Sequence, residues 1–184
     1  TVDAPAVLSA DQVRGSAPGE VEVVFFHDGK VYDGRFANNA WMQELSECRS
    51  KLTWDNAAYF SPALASSMGV EDEDLVDITV GGNTVTVPAI VTPGQPPNSI
   101  SVAMGYGRTK AGLVGGLASE NIKVGFDVNP LRAAKAPHYA KGTVKRNGGT
   151  YPLSTTIDHW AIDESGMKER EDRSHMFVRE ATVD

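Results

Sequence analysis

Short apolar runs separated by polar turns recur along the chain and predict a mainly β protein. The first run, Glu20 to His27, reads EVEVVFFH and is rich in β-branched and aromatic residues. Two further runs, Leu75 to Val80 and Thr84 to Val91, flank Gly81-Gly82-Asn83, which suits the tight turn of a β-hairpin. We therefore predict a hairpin there, and another short strand over residues 99–103.

Two short helices are expected between the strands. Ser61-Pro62 combines an N-cap side chain with proline at the first helical position, where its missing N–H costs nothing. Gly69 can take the left-handed conformation that ends a helix, so we predict a helix from Pro62 to Met68. Earlier in the chain, Trp41, Met42 and Leu45 fall at helical spacing. We expect this apolar face to pack against the β structure.

The ends of the chain differ in composition from its middle. A second hairpin is predicted where residues 143–146 and 150–155 flank Asn147-Gly148-Gly149. Residues 1–19 are small residues, proline and scattered charge, and residues 156–184 are charged and aperiodic. We predict a poorly ordered leader over 1–19, one β domain over 20–155, and a disordered tail or linker over 156–184.

Composition limits the class of protein. A chain of 184 residues can bury one sizeable core, and 41% hydrophobic residues with 18 glycines suit a turn-rich β domain. No apolar run approaches the length of a membrane span, and no signal peptide is visible at the start, so we expect no direct membrane insertion. The formal net charge of −7, without a basic stripe interleaved with aromatic residues, argues against a nucleic-acid partner.

The residues that usually carry catalysis or bind metal are sparse. Cys48 is the sole cysteine and stands in a polar segment without a nearby histidine, so we interpret it as an ordinary thiol. The acidic run Glu71 to Asp74 lacks the alternating oxygen spacing of a calcium loop. The histidines are scattered, and no nucleophile with a supporting base is visible. We therefore predict no catalytic residue and no metal ligand in this chain.

Two polar features stand out against the apolar pattern. Asp55-Asn56 lies between Trp54 and Tyr59-Phe60, and it is either a turn former or a recognition pair, of which we favour the turn. Met104 to Gly116, MGYGRTKAGLVGG, is rich in glycine and carries Arg108 and Lys110. Glycines let backbone approach a ligand closely and present N–H groups to phosphate, so this loop is either an anion site or a plain flexible loop.

Several segments in order resemble a known family. The Ser-Pro-Ala helix, Met-Gly-Val, an acidic run and the strand LVDITV look like the C-terminal molybdopterin-dinucleotide-binding domain of the dimethyl sulfoxide reductase family. The segments MQEL, LTWDNAA, MGYGRTKAG and YPLSTTIDHW narrow the resemblance to the large iron–sulfur/molybdopterin-like subunit of bacterial alternative complex III. The resemblance implies a double-psi β-barrel of six or seven strands, one or two short helices and flexible termini, in which the second hairpin closes the barrel.

The resemblance also implies which residues would touch a cofactor. In the family, a glycine-rich loop and a later asparagine lie close to the pterin dinucleotide. The matching residues here are Gly105, Tyr106, Gly107, Arg108 and Asn129, with Asn121 as second choice for the asparagine. The first loop lacks the Thr-x-Arg and following His associated with the wider family, and no cation cluster suits two phosphates. These departures favour a domain that keeps the fold without a cofactor of its own.

Three functions are compatible with these residues. The first is a scaffold domain in a quinol-oxidising respiratory complex, with partners in the same subunit and in other subunits. The second is a functional molybdopterin guanine dinucleotide-binding domain of a molybdenum oxidoreductase. The third is an independent double-psi barrel enzyme or binding module. The resemblance further implies a parent with iron–sulfur clusters in a neighbouring domain, at the periplasmic face of the bacterial inner membrane.

Overall fold

The computed structural model describes residues 20–110, 112–114 and 124–156. The predicted leader over 1–19, almost all of the predicted tail, and Asn121 lie outside the described residues. Within them the chain forms six strands, two α-helices and one 3-10 helix. In chain order these are β1 Glu20–Phe26, α1 Ala40–Glu44, β2 Ala58–Phe60, α2 Pro62–Met68, β3 Asp74–Val80, β4 Asn83–Val91, β5 Ser99–Ala103, the 3-10 helix Asn129–Leu131 and β6 Tyr139–Thr150.

The six strands close into a barrel in the order β1-β5-β2-β4-β3-β6, with β6 paired back to β1. Two of the pairs, β1 with β5 and β2 with β4, are parallel, and the other four are antiparallel. Alternate residues of each strand point inward, and side chains such as Val23, Ile78 and Val102 are fully buried there. The prediction of a mainly β barrel is confirmed, and this architecture is consistent with a double-psi barrel.

Helix α2 and the β3–β4 hairpin form where the sequence predicts them. The Ser61 hydroxyl accepts a hydrogen bond from the Leu64 N–H at 3.1 Å, and Gly69 ends the helix with φ of +64°. The hairpin turns through Gly81 and Gly82, whose φ angles of +57° and +87° both require glycine for an unstrained tight turn. Both elements arise from interactions within a few residues.

The predicted hairpin at Asn147-Gly148-Gly149 is wrong. Strand β6 runs without reversal from Tyr139 to Thr150 and pairs with β1 and then β3. Val76 pairs with Arg146, and Asp74 pairs with Thr150. Between these two pairs β3 has one residue and β6 has three, so residues 147–149 form a bulge in β6. The Asn147 amide donates to the Asp77 carboxylate at 3.0 Å, which holds the bulge against β3. The barrel is closed by this single bent strand.

Helix α1 exists, but it faces the opposite way from the prediction. Trp41 is 84% exposed and Leu45 is 55% exposed, whereas Gln43 is buried. The Gln43 amide nitrogen donates to the Ala37 carbonyl, and the Gln43 carbonyl accepts from the Trp54 N–H. Asn39 caps the helix by accepting from the Trp41 and Met42 N–H groups. These polar bonds fix the helix with Trp41 and Leu45 directed outward, while Met42 is half-buried.

One end of the barrel gathers the long connections. Because β1 and β5 are parallel neighbours, their carboxyl ends meet at the same end of the barrel. The connection over residues 27–57 follows β1, and the connection over residues 104–138 follows β5. Strand β6 begins beside the end of β1, with Tyr139 paired to Val24, so the second connection also returns there. We call this end the mouth.

Candidate functional site

All five residues predicted to contact a cofactor lie along one groove at the mouth. The groove has a volume of about 350 Å³. Its lining comprises Asp33, Gly34, Gly105, Tyr106, Gly107, Arg108, Thr109, Asp127 and Asn129. The structure therefore brings the glycine-rich loop and Asn129 together, across more than twenty residues of sequence. Their role as cofactor contacts stays a prediction.

Four lining residues were not among the predicted contacts: Thr109, within the glycine-rich loop, and Asp33, Gly34 and Asp127, which sequence reasoning missed altogether. The Asp33 carboxylate forms two hydrogen bonds to the Arg35 guanidinium, and these bonds hold the pKa of Asp33 well below its usual range. The signal in the sequence was the Asp-Gly pair after the Tyr32 position, which marks a turn near the end of the first strand. Nothing in the neighbouring sequence indicated that this turn would contact the glycine-rich loop about seventy residues later.

The glycines of the loop are required for contacts inside the protein. A Cβ on Gly105 would lie 2.5 Å from the Gly34 backbone nitrogen, and a Cβ on Gly107 would collide with the backbone of Phe126 and Asp127. Both glycines have positive φ, +96° and +77°. The sequence suggested that such glycines let backbone approach a ligand. In the structure the backbone that approaches them belongs to the chain itself.

Tyr106 supports the groove from below. Its side chain is 5% exposed, and its hydroxyl donates to the Asp28 carboxylate at 2.9 Å. Burial raises the pKa of Tyr106, and the nearby negative charge of Asp28 raises it further. Asp28 also accepts from the Lys30 and Val31 N–H groups, so the start of the first connection is tied to the loop after β5. Tyr106 is thus a structural member of the mouth.

Lys30 lies buried beside this tyrosine. Its ammonium donates to the Leu52 carbonyl at 3.2 Å and lies 5.9 Å from the centre of the Tyr106 ring. Burial lowers the pKa of Lys30, while Asp28, Glu47 and Asp55 oppose that shift. The lysine therefore balances buried carboxylates beneath the mouth, and at 3% exposure it does not present a charge to the groove.

Arg108 is the candidate cation for a phosphate, and its guanidinium is already bonded within the chain. One terminal nitrogen donates to the Asn38 side-chain oxygen at 2.9 Å. The other donates to the Ala37 carbonyl at 2.8 Å and to the Val114 carbonyl at 2.9 Å. Arg108 thus joins the two connections that form the mouth. A phosphate would have to compete with three established hydrogen bonds.

The side chain of Asn129 is also hydrogen-bonded within the chain. Its amide nitrogen donates to the Asp127 carboxylate at 2.8 Å, and its side-chain oxygen accepts from Arg132 at 2.7 Å. Two carboxylates, Asp33 and Asp127, face the same groove as the single guanidinium of Arg108. This set of groups does not fit a diphosphate, because its cation is bonded within the chain, the Asp33 carboxylate is already paired with Arg35, and Asp127 adds a negative charge.

Asp55 and Asn56 lie in the first connection and bond it to the second connection at the mouth. Asp55 accepts from the Gly125 N–H at 2.8 Å, and burial raises its pKa, an effect that this N–H bond partly offsets. Asn56 donates to the Ala103 and Phe126 carbonyls and accepts from the Phe126 N–H. The interpretation of this pair as a turn former is wrong, because its partners are distant in sequence. It clamps the residues around Phe126 to the end of β5.

Glu47 anchors the same connection. Its carboxylate accepts from the Ser50 and Arg49 N–H groups and from the Ser50 hydroxyl. Burial raises the pKa of Glu47, but these hydrogen bonds outweigh burial and lower the pKa to about 2. A carboxylate with a depressed pKa stabilises the fold above its unfolded pKa, and this contribution is lost as the pH falls toward 2.

We predict that Glu47→Gln lowers the free energy of unfolding at pH 7 by about 2 kcal/mol, because a neutral amide replaces a charged acceptor. Between pH 4.5 and pH 2 the free energy of the wild type should fall more steeply than that of the variant. Urea unfolding at several pH values measures both effects. Glu44→Gln, at an exposed position of α1, is the control. Parallel pH curves for wild type and Glu47→Gln would contradict the prediction.

The described residues at the mouth do not include a cluster of metal ligands. Among them, no three His, Cys, Asp or Glu side chains are grouped to hold a metal ion. No helix in the described part of the chain is long and apolar enough to cross a membrane.

His27 is exposed and stacks on Tyr32 at 4.3 Å between ring centres, with His138 edge-on at 5.2 Å. That pair lacks a third ligand or a carboxylate bonded to either ring.

Comparison with known proteins identifies the barrel. Residues 34–144 match the family described as "Molydopterin dinucleotide binding domain". The thiosulfate reductase molybdopterin-containing subunit PhsA of Salmonella typhimurium strain LT2 is 30% identical over 138 residues, which is 75% of this chain and 17% of that protein. Acetylene hydratase from Pelobacter acetylenicus shares the fold, with a TM-score of 0.51 at 8% identity over 68% of this chain and 18% of that one. The chain thus spans under a fifth of either relative.

Proposed function

We propose a function from one premise: the chain belongs to the molydopterin dinucleotide binding domain family. We infer that it is a structural barrel within a longer subunit of the molybdopterin oxidoreductase family, without catalysis of its own. It spans 17% of the thiosulfate reductase subunit that it resembles. The name of the family points to a molybdopterin cofactor in the parent, and our proposal places the diphosphate contacts of any such cofactor outside this chain.

The observation that carries the proposal is that the guanidinium of Arg108 is hydrogen-bonded within the chain. All three of its hydrogen bonds end on the chain itself, at Asn38, Ala37 and Val114. The neighbouring glycines meet protein backbone, and Asn129 is bonded to Asp127 and Arg132. The features that would mark a dinucleotide site in the sequence therefore stabilise the mouth of the barrel. A structural role explains all of them together.

The finer assignment rests on the resemblance of four sequence segments. We propose that the parent is the large iron–sulfur/molybdopterin-like subunit of a quinol-oxidising respiratory complex of the alternative complex III type. Its partners would be the other domains of that subunit, including an iron–sulfur domain, and other subunits of the complex. The same resemblance supports a location at the periplasmic face of the bacterial inner membrane. Molybdenum, pterin and iron analysis of the purified parent would test this assignment.

A second function, direct dinucleotide binding, is favoured by the groove itself. The groove of about 350 Å³ is lined by all five predicted contacts, and they fall within the residues that match the family. Thr109 and Lys110 are exposed beside it. On this alternative, Arg108 would exchange its internal bonds for phosphate when the ligand enters.

An amide-shift titration of this chain with guanosine diphosphate, which carries the distal half of the pterin dinucleotide, distinguishes the two functions. We expect no saturable shifts at millimolar nucleotide, because Arg108, the one cation among the described residues that line the groove, is bonded within the chain. Clustered, saturable shifts at residues 104–110 and at Asn129 would instead support direct binding. In that case Lys110→Gln should weaken binding and Lys145→Gln, at an exposed position on β6, should not. Equal weakening by both would indicate nonspecific attraction.

A further inference from the structure

Helix α1 displays its apolar residues to the outside. Trp41 is 84% exposed and Leu45, one turn later, is 55% exposed, while the polar Gln43 is buried and bonds to Ala37 and Trp54. A helix on a protein surface normally buries its apolar face. Here the side chain with the largest apolar area is the one most exposed. Such an inversion is typical of a surface that is covered by another protein.

The other exposed apolar residues belong to the two connections that form the mouth. All five large hydrophobic side chains that are exposed among the described residues belong to the connections at the mouth. They are Tyr32, Phe36, Trp41, Leu45 and Leu113. Phe36, Trp41 and Val114 line one concavity of about 600 Å³. We call Phe36, Trp41, Leu45, Leu113 and Val114 the mouth patch.

The mouth patch is held in place before any partner binds. Arg108 donates from one guanidinium nitrogen to both the Ala37 and Val114 carbonyls, so it joins the two connections that carry the patch. Asn39 caps α1, and Gln43 bonds the helix to Ala37. A surface that is already ordered loses little conformational entropy on association. The arrangement therefore suits a permanent contact.

We propose that the mouth patch is the surface by which this barrel docks onto the remainder of its parent subunit. This inference rests on the proposed role of the chain as one domain of a longer polypeptide. The chain spans 17% of one relative and 18% of another, so most of such a subunit lies outside it. The occupant is a protein surface of that remainder, apolar at its centre, with polar groups opposite Asn38 and Asn39.

The position of the patch also selects this occupant. The mouth patch adjoins the groove, because Arg108 lines the groove and bonds to the carbonyl of Val114, a residue of the patch. Arg108 also bonds to the carbonyl of Ala37, which follows Phe36 of the patch. A domain seated on the patch would therefore lie over the groove as well. Around the patch, Asp33 and Arg35 neutralise each other through a pair at 2.7 Å, so the rim contributes polar contacts without a strong net charge.

The test is reconstitution of the parent subunit from two polypeptides, this chain and the remainder, with the dissociation constant measured by titration calorimetry. We expect Trp41→Glu to weaken the association roughly 30-fold or more, the loss typical of a central aromatic anchor. The control is Ala63→Glu, which places the same charge at an exposed position of α2, beyond the opposite end of β2. This control should leave the dissociation constant unchanged. Equal affinity of Trp41→Glu and wild type would overturn the inference.

Two further measurements keep the outcome unambiguous. Leu113→Glu changes the other connection at a residue that is 88% exposed, and it should also weaken reconstitution. Thermal unfolding of each isolated variant should match that of wild type, because both side chains are exposed in the barrel alone.

Sedimentation equilibrium of the isolated chain tests whether a second copy of the chain occupies the patch. A dimer that Trp41→Glu abolishes would overturn docking onto the remainder. Nucleotide binding in the titration above would refute the structural role without affecting this result.

Discussion

Asn56→Leu is expected to lower the free energy of unfolding by about 4 kcal/mol, since it removes the side-chain partner of one buried and two half-buried backbone groups. Asn56 is 2% exposed and bonds to the Ala103 carbonyl at 2.8 Å and to the carbonyl and N–H of Phe126. Leucine has the same branching pattern as asparagine but a larger volume, so it leaves no space for a water molecule to replace those bonds and also crowds the site. The loss is large compared with the stability of an ordinary domain.

Urea unfolding followed by circular dichroism measures this loss. Asn83→Ala is the matched control, because Asn83 is exposed and its amide forms one bond, to the Pro130 carbonyl at 2.9 Å. We expect a change within about 1 kcal/mol for that control. Amide exchange at Phe126 should accelerate in Asn56→Leu, since its N–H loses its acceptor. Comparable losses for the two variants would mean that the clamp contributes little.

Gly107→Ala is expected to lower the free energy of unfolding by about 3 kcal/mol. Of this, about 1 kcal/mol reflects the strain of alanine at φ of +77°, and the rest reflects the backbone of Phe126 and Asp127, which must move away from the new methyl group. One of the two residues that must move, Phe126, is held by Asn56. Movement there would also disturb the groove at the mouth.

Gly112→Ala is the matched control for this prediction. Gly112 belongs to the same glycine-rich loop and has φ of +59°, but no described atom lies within 4 Å of a Cβ built there. Its alanine variant should therefore lose about 1 kcal/mol, the cost of the positive φ alone. Equal losses at the two positions, again measured by urea unfolding, would show that close packing at Gly107 is unimportant. The comparison thus separates a packing glycine from a conformational one.

The two predictions describe one physical arrangement. Gly107 and Asn56 both contact the backbone around Phe126, and Asp55 bonds to Gly125 in the same segment. The loop after β5, the connection before β2 and the segment before the 3-10 helix are therefore mutually dependent. The glycine-rich loop has the composition of a ligand-binding loop, but in this barrel two of its glycines pack against the backbone of other segments of the chain.

The sequence alone determined the elements whose causes lie within a few residues. The Ser61 cap, the left-handed Gly69 and the turn at Gly81 and Gly82 each act on neighbouring backbone, and α2 and the β3–β4 hairpin form as predicted. The alternation of apolar and polar residues likewise predicted β1, β3, β4, β5 and the mainly β class, whereas β2 was not predicted and β6 was divided into two strands. The grouping of five candidate residues at one groove followed from a resemblance, and the structure brought them together.

Only the tertiary structure decided what those residues contact. Asn147-Gly148-Gly149 has the local chemistry of a turn, but pairing with β3 makes it a bulge in a continuous strand. Trp41 has helical spacing with Leu45, yet the bonds of Gln43 turn that face outward. Arg108 could have been available to a phosphate, but residues about 70 positions earlier accept its hydrogen bonds. Local preferences extend over one turn of chain, whereas burial and hydrogen bonding between distant segments are set when the barrel closes.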